Sequence, residues 1–106
     1  MENRARKGKQ MSGLKFWEDE IDTGFNTYNL PIYMQTSVYR WVRYGNRPDH
    51  FLLSILTNNL KLAVDYADDT NITKLVAWVH FCYWHLPSLC WGSIERVDNW
   101  KGLDHG

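Results

Sequence analysis

No apolar run in this chain approaches the roughly 20 residues that a bilayer-spanning helix needs, and its polar first residues carry no apolar segment of the signal-peptide kind. These absences exclude a membrane partner from the expected reading and point to the cytoplasm. Cysteine is scarce: Cys82 and Cys90 are the only two among 106 residues, and in a reducing compartment they are expected as buried thiols. Charge of one sign is missing too. Twelve Lys and Arg balance twelve Asp and Glu, so the chain as a whole offers no electrostatic case for a nucleic-acid partner. Glycine-rich phosphate loops, dinucleotide fingerprints and a carboxylate pair placed for acid–base work are all absent. The expectation is a binding protein, not an enzyme, with no cofactor.

What the chain has in excess is rings. Six Trp and six Tyr stand in a sequence that is 44% hydrophobic, more ring surface than a single small interior readily takes. An aromatic-heavy core is one outcome, and a homo-oligomer that shares the surplus at an interface is the expected one. Charge is also unevenly placed: Arg4, Arg6, Lys7 and Lys9 crowd the first ten residues, while Glu18, Asp19, Glu20 and Asp22 follow. Residues 1–13 read as a disordered basic tail. Residues 14–106 form one helical domain, opening with an irregular or briefly ordered aromatic arm over 14–30. That arm bears Leu14, Phe16, Trp17, Ile21, Phe25 and Tyr28, which pack over the domain or reach a neighbouring subunit.

Beyond residue 30 apolar residues recur at intervals of three and four, not two, which predicts an all-α, compact domain of about four helices. The first starts at Pro31 and stops at Gly45, with Met34, Val38, Trp41 and Val42 on one face. On its other face Arg40, Arg43 and Tyr44 align, and Arg47 joins them if the last turn reaches it or the chain continues in that direction. A second helix is expected from Pro48-Asp49 to about Ala67, with Asn59 inside its apolar stripe and therefore in need of a specific partner. A third, apolar almost all round, runs from about Asn71 to Leu86 and ends at Pro87. Ser93 caps a closing helix that carries Ile94, Val97 and Trp100.

Three clusters could carry chemistry. His80, Cys82, His85 and Cys90 are metal-ligand types, but His80 and Cys82 point about 160° apart on one helix, so no metal site is expected, and a Cys90 nucleophile beside a His lacks a third group to orient it. Arg40, Arg43 and Arg47 beside Tyr39, Trp41 and Tyr44 combine guanidinium forks for phosphate with rings for base stacking; the bland alternative is cation–π contact and ion pairing. Trp91-Gly92-Ser93 offers backbone amides at a helix start, or simply a turn with Trp91 plugging the core.

Tyr44-Gly45, Pro48, Phe51-Leu52, Leu56, Asn58, Leu60, Ala63, Ala67-Asp68-Asp69, Asn71, Tyr83, Pro87, Cys90-Trp91-Gly92-Ser93, Val97 and Trp100 together make a pattern. Through it, residues 30–100 resemble a widespread family of short proteins of tailed bacteriophages and prophages. Asn59 and Trp84 depart from that pattern, which often has Asp and Asn there. The resemblance implies a compact helical fold and a phage protein working in the host bacterial cytoplasm. It further suggests a sponge that sequesters a cyclic dinucleotide or related signal of CBASS-type defence, with a protein–protein inhibitor of a host enzyme or defence protein as the alternative. In the sponge reading Arg40, Arg43 and Arg47 neutralise phosphates, Tyr44 or Trp91 stacks on a base, and Asn58, Asn59, Asn71 and Ser93 read base edges or backbone.

Overall fold

Leu14, Trp17, Ile21, Phe25 and Tyr28 lie three or four residues apart, the spacing that lines up one face of a helix. In the computed structural model, which describes residues 10–104, they do so on the longest helix of the protein, α1 (Gln10–Tyr28). The segment read as an irregular or briefly ordered arm is therefore a helix, and its acidic residues flank the buried face, Glu20 towards His85 of α5 and Glu18, Asp19 and Asp22 towards α2. Of the basic tail read for 1–13, residues 1–9 lie outside the described residues and 10–13 are the first turn of α1. Ile21 and Phe25 are buried, with Trp17 and Tyr28 packed against the same core.

α1 lies across α5 (Leu75–His85) so closely that a Cβ on Gly24 would stand 2.4 Å from the Phe81 ring and 2.8 Å from the His85 ring. Glycine is required there by contact. Below this crossing Phe25, Trp78 and Phe81 meet edge to face at centroid distances of 5.2 to 5.8 Å, the arrangement ring quadrupoles favour. Five of the six tryptophans are inside or partly inside, and three are wired in through their indole N–H: Trp78 donates to the Asn71 side-chain oxygen at 2.8 Å. Trp41 donates to the Cys90 carbonyl at 3.1 Å, and Trp100 donates to the Trp41 carbonyl at 2.9 Å.

The chain turns after α1 at Asn29, in the left-handed region at φ 52°, passes a single 3-10 turn at Ile32–Met34 and enters α2 (Gln35–Tyr44). Gly45, at φ +73°, ends α2 as the sequence predicts. Two further carbonyls of that end are taken by the C-terminal segment: Leu103 N–H donates to Val42 at 2.9 Å and Asp104 N–H to Arg43 at 2.8 Å. The two backbones approach so nearly that a Cβ on Gly102 would lie 2.5 Å from the Arg43 carbonyl oxygen.

The single helix expected over 48–67 is two, α3 (His50–Leu56) and α4 (Leu60–Tyr66). Asn is the cause. Asn58 takes a left-handed conformation at φ 63°, which Asn tolerates better than most residues, and the Asn59 side chain then caps α4 by accepting from Leu62 N–H at 3.1 Å. Asn59 is thus exposed at a helix start, not buried in an apolar stripe. A 3-10 turn at Asn71–Lys74 leads into α5, and Ser93 caps α6 (Ile94–Asn99) by accepting from Arg96 N–H at 3.1 Å. Among the described residues the fold is all helical, with six α-helices and no strand. None of these helices is long and apolar enough to cross a membrane.

Candidate functional site

α1 and α2 pack side by side over their buried faces and diverge at the surface, leaving a cleft of about 420 Å³. This is in the size range of small-molecule sites. Leu14, Trp17, Ile21, Val42 and Leu103 give it apolar walls, Tyr39 and Tyr44 add rings, and Arg40 and Arg43 bring two of the expected guanidinium groups to one place. The cleft is not simply basic. Arg40 and Arg43 of α2 face Glu18, Asp19 and Asp22 of α1 across it, and Lys15 sits on the α1 lip itself, paired with Asp19 at 3.3 Å.

The two arginines differ in how they are held. Arg43 lies 3.7 Å from Glu18 and 3.6 Å from Asp104, with its guanidinium 5.2 Å from the centre of the Tyr44 ring. Its Nε–H is buried with no acceptor in hydrogen-bonding range, so the pairing with Asp104 is electrostatic contact without a formed hydrogen bond. Arg40 is exposed and has no ion pair or hydrogen bond among the described residues. It is the cation that an incoming anion could take without displacing a carboxylate.

Asp22 organises the other end. It accepts from the Gln35 amide at 2.9 Å and from the Tyr39 hydroxyl. Burial first, then the hydrogen bond to Asp22 and the nearby carboxylates, pushes the Tyr39 phenol up to about 12. The neutral hydroxyl is therefore a fixed donor at physiological pH, and it fixes which way the Tyr39 ring faces.

The remaining expected ligand residues are elsewhere. Arg47 turns away and pairs with Asp98 of α6. Asn58 and Asn59 edge a second, apolar groove of about 240 Å³, walled by Ile55, Leu60, Ala63, Leu75, Val76 and Val79. Asn71 is buried and its side-chain oxygen accepts from the Trp78 indole at 2.8 Å, so its polar group is committed inside the core. Trp91 is half-buried, the Gly92 N–H is spent on the Leu56 carbonyl at 2.7 Å, and the Ser93 hydroxyl is spent on its own helix. The structure thus gathers Arg40, Arg43 and Tyr44 and leaves Arg47, Asn58, Asn59, Asn71, Trp91 and Ser93 outside the cleft.

No family model, curated protein or solved structure matches the chain. The resemblance to tailed-phage proteins read through the Cys90-Trp91-Gly92-Ser93 string accordingly rests on the sequence alone.

Trp17, Glu18 and Asp22 belong to the cleft but were not singled out from the sequence. The three-and-four spacing from Leu14 to Tyr28 was the available signal, since it makes residues 14–28 a helix able to pair with α2. The four metal-ligand types do not act together. Cys82 and Cys90 are buried thiols, with Cys90 pushed up to about 12 and Cys82 also raised, both by burial first. A neutral thiol is a poor nucleophile and a poor ligand. His85 Nδ1 meets Glu20 at 2.9 Å, while His80 is exposed and stacks over Tyr28. Among the described residues no group of three His, Cys, Asp or Glu is placed to hold a metal ion.

Proposed function

We propose that this protein is a phage-encoded, non-catalytic sponge that binds a cyclic dinucleotide or related signal of CBASS-type host defence and withholds it without cleaving it. The observation that carries the reading is the α1–α2 cleft, where Arg40 and Arg43 share one pocket with Trp17, Tyr39 and Tyr44. Guanidinium forks suit phosphate oxygens and the rings offer faces on which a base can stack. The carboxylates refine the ligand class. With three cations against three anions the cleft is a poor trap for a polyphosphate, but Glu18 and Asp19 can accept from the exocyclic amino group of a purine. A ligand with few phosphates and donor-bearing bases fits that balance. Sequestration needs affinity alone, so a cleft without an activated nucleophile suffices. In this reading the chain acts as a homo-oligomer in the host bacterial cytoplasm.

Isothermal titration of the full chain against a panel of cyclic dinucleotides is the test. Saturable heat is expected for at least one purine-containing member, with the ligand recovered intact afterwards. Arg40→Ala and Arg43→Ala are each expected to weaken it about tenfold, the scale of one lost charge-assisted hydrogen bond. Flat heats across the panel at high protein concentration overturn the sponge reading.

One observation favours the second reading, inhibition of a host enzyme or defence protein. Val76, Tyr83, Trp84 and Leu60 are large apolar side chains more than 60% exposed, a composition typical of recognition surfaces. That reading expects Arg43→Ala to be silent in a pull-down from infected lysate and aromatic substitutions on α5 to abolish capture.

A further inference from the structure

We propose that the face built by α4 and α5 is where a second copy of this chain docks, α5 against α5. The proposal supplies a surface for the self-association named above and does not depend on the nucleotide, because this face and the α1–α2 cleft share no lining residue.

α5 carries no Asp, Glu, Lys or Arg from Leu75 to His85, yet only part of it is covered. α1 and α3 take one side. On the other, Ile72, Val76, Val79 and Tyr83 follow at intervals of four, three and four, and all four are exposed. That alternation is the seam of a helix that packs knobs into holes with another helix; Val76 and Val79 border the groove towards α3 and α4, and among the described residues the outer side of the seam is left uncovered. Leu60 of α4 stands beside the ridge, and Trp84 extends it edge-on to Tyr83 at 4.8 Å. From their exposures, Leu60, Val76, Val79, Tyr83 and Trp84 present roughly 600 Å² of side chain, about three-quarters of the ~800 Å² per partner of a stable complex and at the upper end of the patch a monomer ordinarily leaves bare.

Two features select a second copy over an unrelated protein. The Val76–Tyr83 ridge runs beside the apolar groove of Ile55, Leu60, Ala63 and Leu75, so one two-fold rotation seats each ridge in the other copy's groove and makes the same contact twice. Absence of charge is the second feature. Near a two-fold axis a side chain meets its own mate, and a charged one would face a like charge without water. A surface shaped for a different protein has no such restriction, and its rim usually carries charges to match. Along α5 the polar ring on this face is His80, and that imidazole leans on Tyr28.

Analytical ultracentrifugation of the full chain, without nucleotide, over a range of concentrations tests the docking. A monomer–dimer equilibrium is expected with a constant tighter than about 10 µM. Val76→Glu, at a site 70% exposed in the single subunit, is expected to keep its helical circular dichroism and weaken the dimer about 100-fold or more, the scale of placing an unpaired charge in an interface. Should that variant lose its circular dichroism, Val79→Cys gives a second measure: mild oxidation is expected to yield a covalent dimer, since the native Cys82 and Cys90 are buried. A chain that stays monomeric throughout, or a dimer indifferent to Val76→Glu and refractory to the Val79→Cys cross-link, overturns the proposal and leaves the face to another protein. Dimerisation with flat nucleotide heats removes the sponge reading alone.

Discussion

The α1–α2 cleft and the α4–α5 face are both open surface, yet they are opposite kinds of surface. In the cleft nearly every polar group already has a partner: Asp22 holds Tyr39 and Gln35, and Arg43 sits between Glu18 and Asp104. Beyond the free Arg40, anything entering must exchange contacts one for one, so selectivity there comes from direction and charge. The face of α5 has almost no polar group to exchange. It gains from area removed from water, at about 25 cal/mol per Å² before the costs of association, and its selectivity comes from shape. Spare rings in a sequence therefore do not name one role, since Trp17 walls the first surface while Trp84 widens the second.

The sharpest way to break this comparison is at Gly24, where α1 crosses α5. Gly24→Val drives a branched side chain into the Phe81 ring, which a bare Cβ would already approach to 2.4 Å. A loss of about 3 kcal/mol is expected in urea unfolding. Because α1 is one wall of the cleft, ligand heats should fall with it, while self-association through the far side of α5 persists in whatever fraction is folded. Both surfaces failing together at equal folded fraction would make them a single unit.

Asn71→Ala is the next largest effect and should act on the other region. It strips the acceptor from the Trp78 indole N–H, a buried donor beneath α5, at a cost of about 2 kcal/mol in the same assay. Titration heats for the cleft should not change, because Asn71 has no part in it. A changed nucleotide affinity at constant fold would return Asn71 to the ligand role expected from the sequence.

The smallest effect belongs to Tyr39, inside the cleft alone. Its folded pKa is raised above the ordinary tyrosine value of 10.0 to about 12. A group whose folded value is raised contributes stability that is complete below the unfolded value and is lost as pH climbs towards the folded one. Stability measured between about pH 10 and 12 should thus fall more steeply for the wild-type chain than for Tyr39→Phe, the two profiles running parallel below that window. Parallel profiles throughout would show that Asp22 does not hold the phenol as described.

Much of the fold was legible in local chemistry. Gly45 stops α2, Asp49 and Ser93 accept from the amides of Leu52 and Arg96, and Pro87 follows the end of α5, each where its backbone preference or its side-chain oxygen dictates. The site was legible in part, because Arg40, Arg43 and Tyr44 share one face of one helix. The other half of the cleft comes from α1, whose apolar stripe is diluted by Glu18 to Asp22 and interrupted by Gly24, a residue that disfavours a helix by itself. Only burial against α5 repays that cost, and burial is not a property of the segment.

By itself, then, the sequence determined an all-helical chain with its caps, its stops and its guanidinium row, because each depends on residues within about one helical turn of one another. Tertiary structure decided the rest. It broke the helix at Asn58 so that Asn59 could cap α4, drew Asn71 inward to the Trp78 indole, turned Arg47 to Asp98, and set the acidic lip of α1 opposite Arg40. Each of these is a choice among partners distant in the chain, and which partner wins depends on what the whole core leaves within reach.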